Sequence, residues 1–256
     1  VPRKSIGDLS HIPGENGPPI IGTTFRVLRD PPAYGKHMVD TYGKVFRTNA
    51  FGNPTISMVG AEANELMLFD RDKLFSNEQG WGPVLNLLFP RGLMLLDFDH
   101  HRMDRRALGI AFKPEPMRMY ADALNAGIKA RVAKWSSKPI KFYPAIKELT
   151  LELAAVSFLG IPFGAEAQRI NQAFVDMVQA SIAVIRAPLP GTAMGRGVAG
   201  RKYLTEYFGA EVPKRRAAPD GSGHDDMFSQ ICRATHEDGT MLGIDEIVDH
   251  MNFLMM

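Results

Sequence analysis

The spacing of apolar residues predicts a chain that is mainly helical. Apolar side chains recur every three or four positions along most of its length, which is typical of helices that bury one face. The predicted helices lie at about 61–69, 97–112, 117–135, 144–160, 166–186, 199–217, 225–236 and from 243 onward. An earlier helix begins at Asp30-Pro31-Pro32 and ends near Tyr42, because a capping Asp, two first-turn prolines and Gly43 mark its ends. Strands and helices do not alternate, so a mainly α fold is expected.

A small β region near the N-terminus interrupts this pattern. Val45–Thr48 and Thr55–Val59 alternate apolar and polar residues, and Phe51-Gly52-Asn53-Pro54 between them is typical of a hairpin turn. Ile12–Gly22 is dense in Pro and Gly, which predicts a stiff, extended lead-in. We therefore expect one domain spanning 1–256, with the lead-in and first helix in 1–43, the hairpin in 44–60 and a helical part in 61–256.

Further Pro- and Gly-rich stretches separate the helices. Trp81–Leu96 is apolar but contains two Gly and two Pro residues, which predicts a long loop with one short helix. Arg186–Gly200 and Ala217–His224 are predicted to be mobile connections. The first ends in Gly195-Arg196-Gly197-Val198-Ala199-Gly200, a literal match to the dinucleotide-binding fingerprint. The prolines before it exclude the central strand that this fingerprint requires, so we interpret the glycines as part of a flexible loop.

Composition narrows the class of protein. The chain has 256 residues, of which 45% are hydrophobic and 23% charged, so it can bury a sizeable core. Its net charge of +2 indicates neither a nucleic-acid partner nor an anionic membrane. Cys232 is the single cysteine, which excludes an intrachain disulfide and fits a reducing, cytoplasmic setting. Neither a secretory signal nor an apolar run of roughly 20 residues is present, so we expect a soluble protein with no membrane span.

The richest cluster of chemically active residues is Asp97–Arg106. On a helix, His101 and Arg105 share one face, as do His100 and Asp104. A solvated charged face is one interpretation, and a metal site at His100 and Asp104 is a second. A third is acyl transfer by the His100-His101 pair, although two residues separate the pair from Asp104 where three are usual. The fourth is an anion clamp, in which His101 and Arg105 bind a carboxylate or phosphate.

The order of the segments resembles the cytochrome P450 family. A Pro-rich lead-in, a hairpin at Val45–Val59 and a helix at Asp97–Phe112 follow one another as they do in that family. The family's third major helix has the form Asp-Gly-x-x-His-x-x-x-Arg-Arg with a later Phe, and Phe98 replaces its usual Gly here. The matching residues are Asp97, His101, Arg105, Arg106 and Phe112. His224–Ile231 and Glu237–His250 resemble the entry into the family's long central helix, so the resemblance covers nearly the whole chain.

The resemblance implies a haem cofactor and a role for two of these residues. In the family, the His and the first Arg of the motif bond a haem propionate, which implies that role for His101 and Arg105. The haem is expected to be haem b, with a cysteine thiolate as the axial iron ligand. Ile244–Met256 predicts a helix with no stop signal, and the family's acid–alcohol, Glu-x-x-Arg and Cys-loop motifs are absent. We therefore expect an incomplete P450 fold that ends in mid-helix, with the axial Cys beyond Met256. Cys232 lacks a Gly-rich loop and is predicted to be a buried hydrophobe.

A substrate pocket is also implied by the resemblance. The apolar stretch Trp81–Phe89 would lie beside the distal face of the haem, and Gly195–Gly200 would connect two lid helices, with Arg196 and Arg201 as surface charges. An apolar lining would select a lipophilic substrate. Packing in the core is the alternative for each lining residue. The residues expected to bind substrate are Trp81, Val84, Leu85, Leu88, Phe89, Phe174, Met177, Val178, Phe253 and Met256.

These expectations combine into one predicted function and two alternatives. The predicted function is a monomeric, haem-dependent monooxygenase that hydroxylates a lipophilic small molecule with O2. Its electrons would come from a separate ferredoxin or flavoprotein, since the chain contains no reductase domain. One alternative is a helical protein that binds an apolar ligand without redox chemistry. The other is the acyltransferase that uses His100 and His101.

Overall fold

The architecture is mainly helical with one small sheet, as the sequence predicts. The structure is a computed structural model, and it describes residues 8–19, 21–50, 53–135, 139–162, 164–183, 185–219 and 226–255. In this part of the chain two strands form an antiparallel sheet and the other elements are helices. The chain divides into two compact units, one up to Phe75 and one from Ser76 onward. The organisation as a single domain stays a prediction.

In its described residues, the first unit contains the hairpin and three helices. Its elements are α1 (Thr24–Arg29), α2 (Pro31–Tyr42), β1 (Val45–Ala50), β2 (Asn53–Met58) and α3 (Ala61–Phe69). The predicted ends of α2 are confirmed, because the Asp30 carboxylate accepts a hydrogen bond from the Ala33 amide at 3.0 Å and the helix stops at Gly43, whose φ is 87°. The predicted hairpin is also confirmed, although residues 51–52 of its turn lie outside the described residues.

The Pro-rich lead-in runs along the first strand. The Arg47 amide donates to the Pro13 carbonyl at 2.8 Å, and the Glu15 amide donates to the Arg47 carbonyl at 3.1 Å. Gly14, between Pro13 and Glu15, has a φ of 153°, and a Cβ there would lie 2.0 Å from the Arg47 carbonyl oxygen. The close approach of the lead-in to β1 therefore requires glycine at this position.

The second unit is built from eight helices in the described residues. They are α4 (Asn77–Leu85), α5 (Phe98–Leu108), α6 (Pro114–Val132), α7 (Phe142–Leu159), α8 (Ala165–Ser181), α9 (Ala193–Ala217), α10 (Met227–Cys232) and α11 (Ile244–Leu254). Two short 3₁₀ turns, Leu93–Leu95 and Gly109–Phe112, flank α5. In the part of the chain that the structure describes, no helix combines the length and the apolar character needed to cross a bilayer.

The predicted loop at Trp81–Leu96 is partly helical. The helix α4 begins at Asn77, earlier than the short helix that we expected inside the loop. Its start is capped twice. The Ser76 hydroxyl accepts from the Gln79 amide at 3.0 Å, and the Asp97 carboxylate accepts from the first two helical amides at 2.6 and 3.3 Å. These caps satisfy backbone donors of the first turn, and both lie outside the apolar stretch 81–96, so the apolar pattern alone placed the start of the helix too late.

The prediction of a flexible loop at Gly195–Gly200 was wrong. Those glycines lie in the first turns of α9, whose cap is the Thr192 hydroxyl, which accepts from the Gly195 amide at 3.0 Å. A Cβ at Gly197 would lie 2.3 Å from the Ala180 Cβ, and a Cβ at Gly200 would lie 2.8 Å from the Ala173 carbonyl oxygen. The glycines therefore bring the backbones of α8 and α9 into close contact, a tertiary role that a propensity argument does not detect.

The core of the second unit contains aromatic side chains and a buried charge pair. Phe208 contacts Phe174 and Phe228, with ring centroids 6.2 and 5.1 Å apart. Beside them the buried Arg215 guanidinium donates to both carboxylate oxygens of Asp226 at 2.6 and 2.7 Å. Its other terminal nitrogen donates to the Leu159 carbonyl at 2.6 Å. The pairing satisfies charges that would destabilise the fold if either were left alone.

Gly197→Ala is expected to lower the free energy of unfolding by about 1–3 kcal/mol, because the added methyl group would clash with α8. Gly209→Ala in the same helix is the matched control, since nothing lies within 4 Å of the position that its added methyl group would occupy. We expect that control to gain roughly 0.5–1 kcal/mol from reduced backbone freedom. Urea denaturation followed by far-UV circular dichroism measures the free energy of unfolding of both variants. Equal values for Gly197→Ala and Gly209→Ala would contradict the packing role of Gly197.

Candidate functional site

The helix α5 carries the predicted anion clamp, and its first residue is strained. Phe98 has a φ of 45°, in the left-handed region that glycine adopts without penalty. The family motif has Gly at this position, so the departure noted in the sequence has a conformational consequence. Asp97, just before it, caps α4 and makes no side-chain cap for α5. The first residue of the motif therefore joins the two helices.

His101 and Arg105 are available to bind a ligand. They lie one turn apart on α5, with His101 half-buried and Arg105 exposed. Within the described ranges, neither side chain makes a hydrogen bond or an ion pair with another residue of the protein. An imidazole and a guanidinium on one face form a set of donors suited to a carboxylate or phosphate. Their role as haem-propionate partners stays a prediction.

His100 and Asp104 do not form a site together. His100 is exposed, whereas Asp104 is only 7% exposed and its carboxylate faces α11. Among the residues that the structure describes, no group of three or more His, Cys, Asp or Glu side chains could hold a metal ion. The metal interpretation therefore lacks a third ligand. The acyltransferase interpretation requires Asp104 beside the His100-His101 pair, but the Asp104 carboxylate is hydrogen-bonded to a residue of α11 instead.

The partner of Asp104 is His250, which the sequence analysis missed. The His250 Nε2 lies 3.1 Å from an Asp104 carboxylate oxygen, and His250 is 1% exposed. Burial raises the pKa of Asp104, but the hydrogen bond from His250 and the electrostatic attraction of His250, Arg91 and His236 outweigh it, so the pKa lies below its ordinary value of 3.8. One signal was present in the sequence: Asp104 lies on the same stripe of α5 as the buried Ala107 and Leu108.

Half of the ten predicted substrate-binding residues are buried in the core. Those with an exposed fraction of 3% or less are Leu85, Leu88, Phe89, Phe174 and Met177. Their side chains pack against other core residues, which is the alternative interpretation given for them above. Trp81 is 49% exposed, and Val84 and Val178 are each 36% exposed. These three remain candidates for contact with a ligand.

The last two predicted pocket residues belong to the C-terminal end of the chain. Phe253 is half-buried and packs edge-on against Phe89, with ring centroids 6.2 Å apart. It also lies against Gly92, where a Cβ would be 2.6 Å from the Phe253 ring. Met256 lies outside the described residues. Through its ring, Phe253 therefore packs α11 against the segment that follows α4.

The two arginines near the start of α9 differ in their surroundings. Arg196 is half exposed and lies 3.7 Å from the Asp176 carboxylate, as a surface charge would. Arg201 is half-buried and donates to the Leu87 carbonyl at 3.3 Å, while its Nε is buried without a partner among the described residues. The prediction that both are surface charges therefore fits Arg196 and is wrong for Arg201, which links α9 to the end of the apolar stretch.

Cys232 has the properties of a buried hydrophobe. It is fully buried, and burial raises the pKa of its thiol to about 12. A thiolate is therefore strongly disfavoured there at neutral pH. This agrees with the expectation that Cys232 is not the ligand of a haem iron.

Solved structures with the same fold define the class of protein. Retinoic acid-bound cyanobacterial CYP120A1 superposes with a TM-score of 0.78 at 24% identity, covering 95% of this chain and 56% of that chain. The heme domain of cytochrome P450DA gives a TM-score of 0.75 at 18% identity, with the same two coverages. The second structure is likewise a cytochrome P450, and at these identities the likeness establishes the fold. The predicted fold class is confirmed.

The chain is also similar in sequence to curated proteins. No family model matches the chain. Putative cytochrome P450 136 of Mycobacterium tuberculosis is 35% identical over 254 residues, covering 97% of this chain and 51% of the relative. Taxane 13-alpha-hydroxylase of Taxus cuspidata is 25% identical over 254 residues, covering 95% of this chain and 52% of the relative. The chain belongs to the cytochrome P450 family. It spans about half the length of the curated relatives that it matches.

Asp104→Asn is expected to lower stability at neutral pH by about 1–3 kcal/mol, since it removes a buried charge-assisted hydrogen bond. Because the pKa of Asp104 is lower in the folded chain than the ordinary value of 3.8, its stabilisation is complete above 3.8 and is lost as the pH falls through the lower folded value. The difference between wild type and variant should therefore shrink on acidification. Urea midpoints from neutral to acidic pH measure it, with the exposed Asp99→Asn as control.

Proposed function

We propose that the complete protein is a haem-dependent monooxygenase that hydroxylates a lipophilic small molecule. Membership of the cytochrome P450 family supports haem binding and monooxygenase chemistry. The names of two matched plant relatives, abscisic acid 8'-hydroxylase 2 and taxane 13-alpha-hydroxylase, support hydroxylation as the reaction. The observation within this chain that carries the proposal is the His101–Arg105 face of α5, which has no partner among the described residues.

The residues of this chain fit the acidic edge of a haem. A haem propionate is a carboxylate, and a guanidinium and an imidazole one helical turn apart offer it two charge-assisted donors. His101 and Arg105 would hold that propionate. Asp104, between them in sequence, has its carboxylate turned toward His250 and does not compete for Arg105. When bound, the haem b would supply the activation of O2, with the axial thiolate contributed by a cysteine outside this chain.

The apolar residues that remain exposed would orient the substrate. Trp81, Val84 and Val178 present apolar surface, and Phe253 packs edge-on against Phe89. Burying a lipophilic molecule against such side chains is favourable because it removes apolar area from water. The buried Leu85, Leu88 and Phe89 would support this surface from behind and exclude water from it.

The partners of the complete protein follow from its chemistry. Monooxygenation consumes O2 and two electrons, so we infer a separate ferredoxin or flavoprotein as the electron donor. The proposed protein is a cytoplasmic monomer without a nucleic-acid partner. A helical ligand carrier without redox chemistry is the second candidate, because the exposed apolar residues fit it equally well. Haem binding separates the two.

His101→Ala combined with Arg105→Ala should accelerate haem loss from the complete protein by about 10- to 100-fold, because the charge-assisted bonds to one propionate contribute about 1.5–3 kcal/mol. The matched control is His100→Ala combined with Arg102→Ala, which removes the same residue types from exposed positions of the same helix. Haem dissociation rates are measured by transfer to an excess of a haem-free acceptor protein. Equal rates for the two double variants would reject the clamp.

Cys232→Ala should leave the iron ligation of the complete protein unchanged. Reduced protein treated with carbon monoxide should give the red-shifted Soret band of a thiolate-ligated haem, both with and without Cys232. The reason is that Cys232 is buried with a pKa raised to about 12 and lies within the helical core. Loss of the band in the variant would assign the ligand to Cys232. Absence of the band in the wild type would favour the ligand carrier.

A further inference from the structure

A buried polar contact links the clamp-bearing helix to the last helix of the chain. Asp104 on α5 and His250 on α11 are 7% and 1% exposed, and the carboxylate oxygen lies 3.1 Å from Nε2. The two residues are 146 positions apart in sequence. The remaining buried residues of α5, Ala107 and Leu108, make only apolar contacts, which have no preferred direction. Among the described residues, the bond to His250 is therefore the directional side-chain contact on the buried face of α5.

The partner helix is itself held in place. Glu246, one turn before His250, lies 3.4 Å from the His236 Nε2 and 3.9 Å from the Arg91 guanidinium. Two residues after His250, the Asn252 side chain donates to the Thr205 hydroxyl of α9 at 3.3 Å. A bond from Asp104 to His250 therefore ties α5 to an anchored element.

Helix geometry turns this bond into a rotational constraint on α5. Successive residues are about 100° apart around a helix, so Arg105 lies about 100° and His101 about 60° from Asp104, on the same side. Fixing the direction of Asp104 toward α11 fixes the directions of both clamp side chains. Arg106 also pairs with Glu237, but these side chains are 62% and 61% exposed, and exposed pairs contribute little.

The protonation pattern at His250 suits a permanent bond. Its Nδ1 is buried and has no partner among the described residues, so an N–H there would be unsatisfied. The tautomer that fits carries its proton on Nε2 and donates to the Asp104 carboxylate. A ring N–H that donates to an ionised carboxylate gives a charge-assisted bond, which is stronger than one between two neutral groups.

We propose that Asp104 and His250 are positioning residues, whose bond sets the rotation of α5 so that His101 and Arg105 both reach the haem propionate. This inference rests on the proposed function, because it assumes that the two residues bind haem. Neither Asp104 nor His250 touches the haem in this scheme. Their effect on haem retention must therefore pass through the clamp, and that requirement can be tested separately from overall stability.

The test is a double-mutant cycle on the complete haem-loaded protein. His250→Leu should accelerate haem transfer to an acceptor protein by roughly three- to tenfold, as expected for coupled neighbours. His250→Gln, whose amide nitrogen can replace Nε2, should restore a rate near that of wild type. In the background of His101→Ala with Arg105→Ala, His250→Leu should have no further effect on the rate. Thermal unfolding of each variant without haem records any general loss of stability.

Each remaining result overturns the inference in a recognisable way. If His250→Leu accelerates haem loss by the same factor with and without the clamp, the pair is merely structural. If His250→Leu leaves the rate unchanged while the clamp variant loses haem, the positioning role fails and the proposed function stands. If the clamp variant keeps its haem, both proposals fall. Should the protein with His250→Leu not fold, Asp104→Ala, which removes the acceptor, takes its place in the same cycle, with the same expected coupling.

Discussion

A buried carboxylate that requires a partner fixes the position of α5 in the second unit. Asp104 is only 7% exposed, and an ionised group at that depth is stable only when it is paired. His250 on α11 supplies the pairing at 3.1 Å, and α11 is held in turn by its buried Ile247 and Met251 and by the bond from Asn252 to Thr205. Arg215 and Asp226 repeat the principle in the aromatic core. Buried charges therefore set where these helices can lie, and apolar packing fills the space between them.

Local patterns predicted the helices well because capping and periodicity are local properties. Asp30, Gly43 and the spacing of α3 are examples in which each element carries its own signals. The failures involve distant residues. Gly197 lowers helix propensity, yet it lies in α9 because Ala180 of another helix needs the space that its missing side chain leaves. No local window contains both residues, and the second cap of α4, Asp97, also lies twenty positions from the start of that helix.

In the candidate site too, local features were predicted and features that depend on distant residues were not. Spacing alone placed His101 and Arg105 on one face, since a four-residue interval is a property of the helix itself. It could not separate core from pocket, because a buried Leu88 and an exposed Trp81 give the same apolar signal. It also could not find His250, which lies 146 residues from its partner. Asp104 shares a face of α5 with Ala107 and Leu108, and this spacing is consistent with a buried carboxylate but does not identify its hydrogen-bond partner.

The helix α5 carries a buried negative charge, on Asp104, and an exposed positive charge, on Arg105. Asp104 points inward and is satisfied within the protein, so it leaves the positive charge of Arg105 available although the two are neighbours in sequence. Had Asp104 faced outward, it could have neutralised the guanidinium and weakened its attraction for an external carboxylate. In the proposed clamp, burying the acid would serve the binding of an anion twice, because it would remove a competitor and fix the direction of the donors. A pair of donors on a helix acquires specificity for a ligand in this way only when that helix cannot turn.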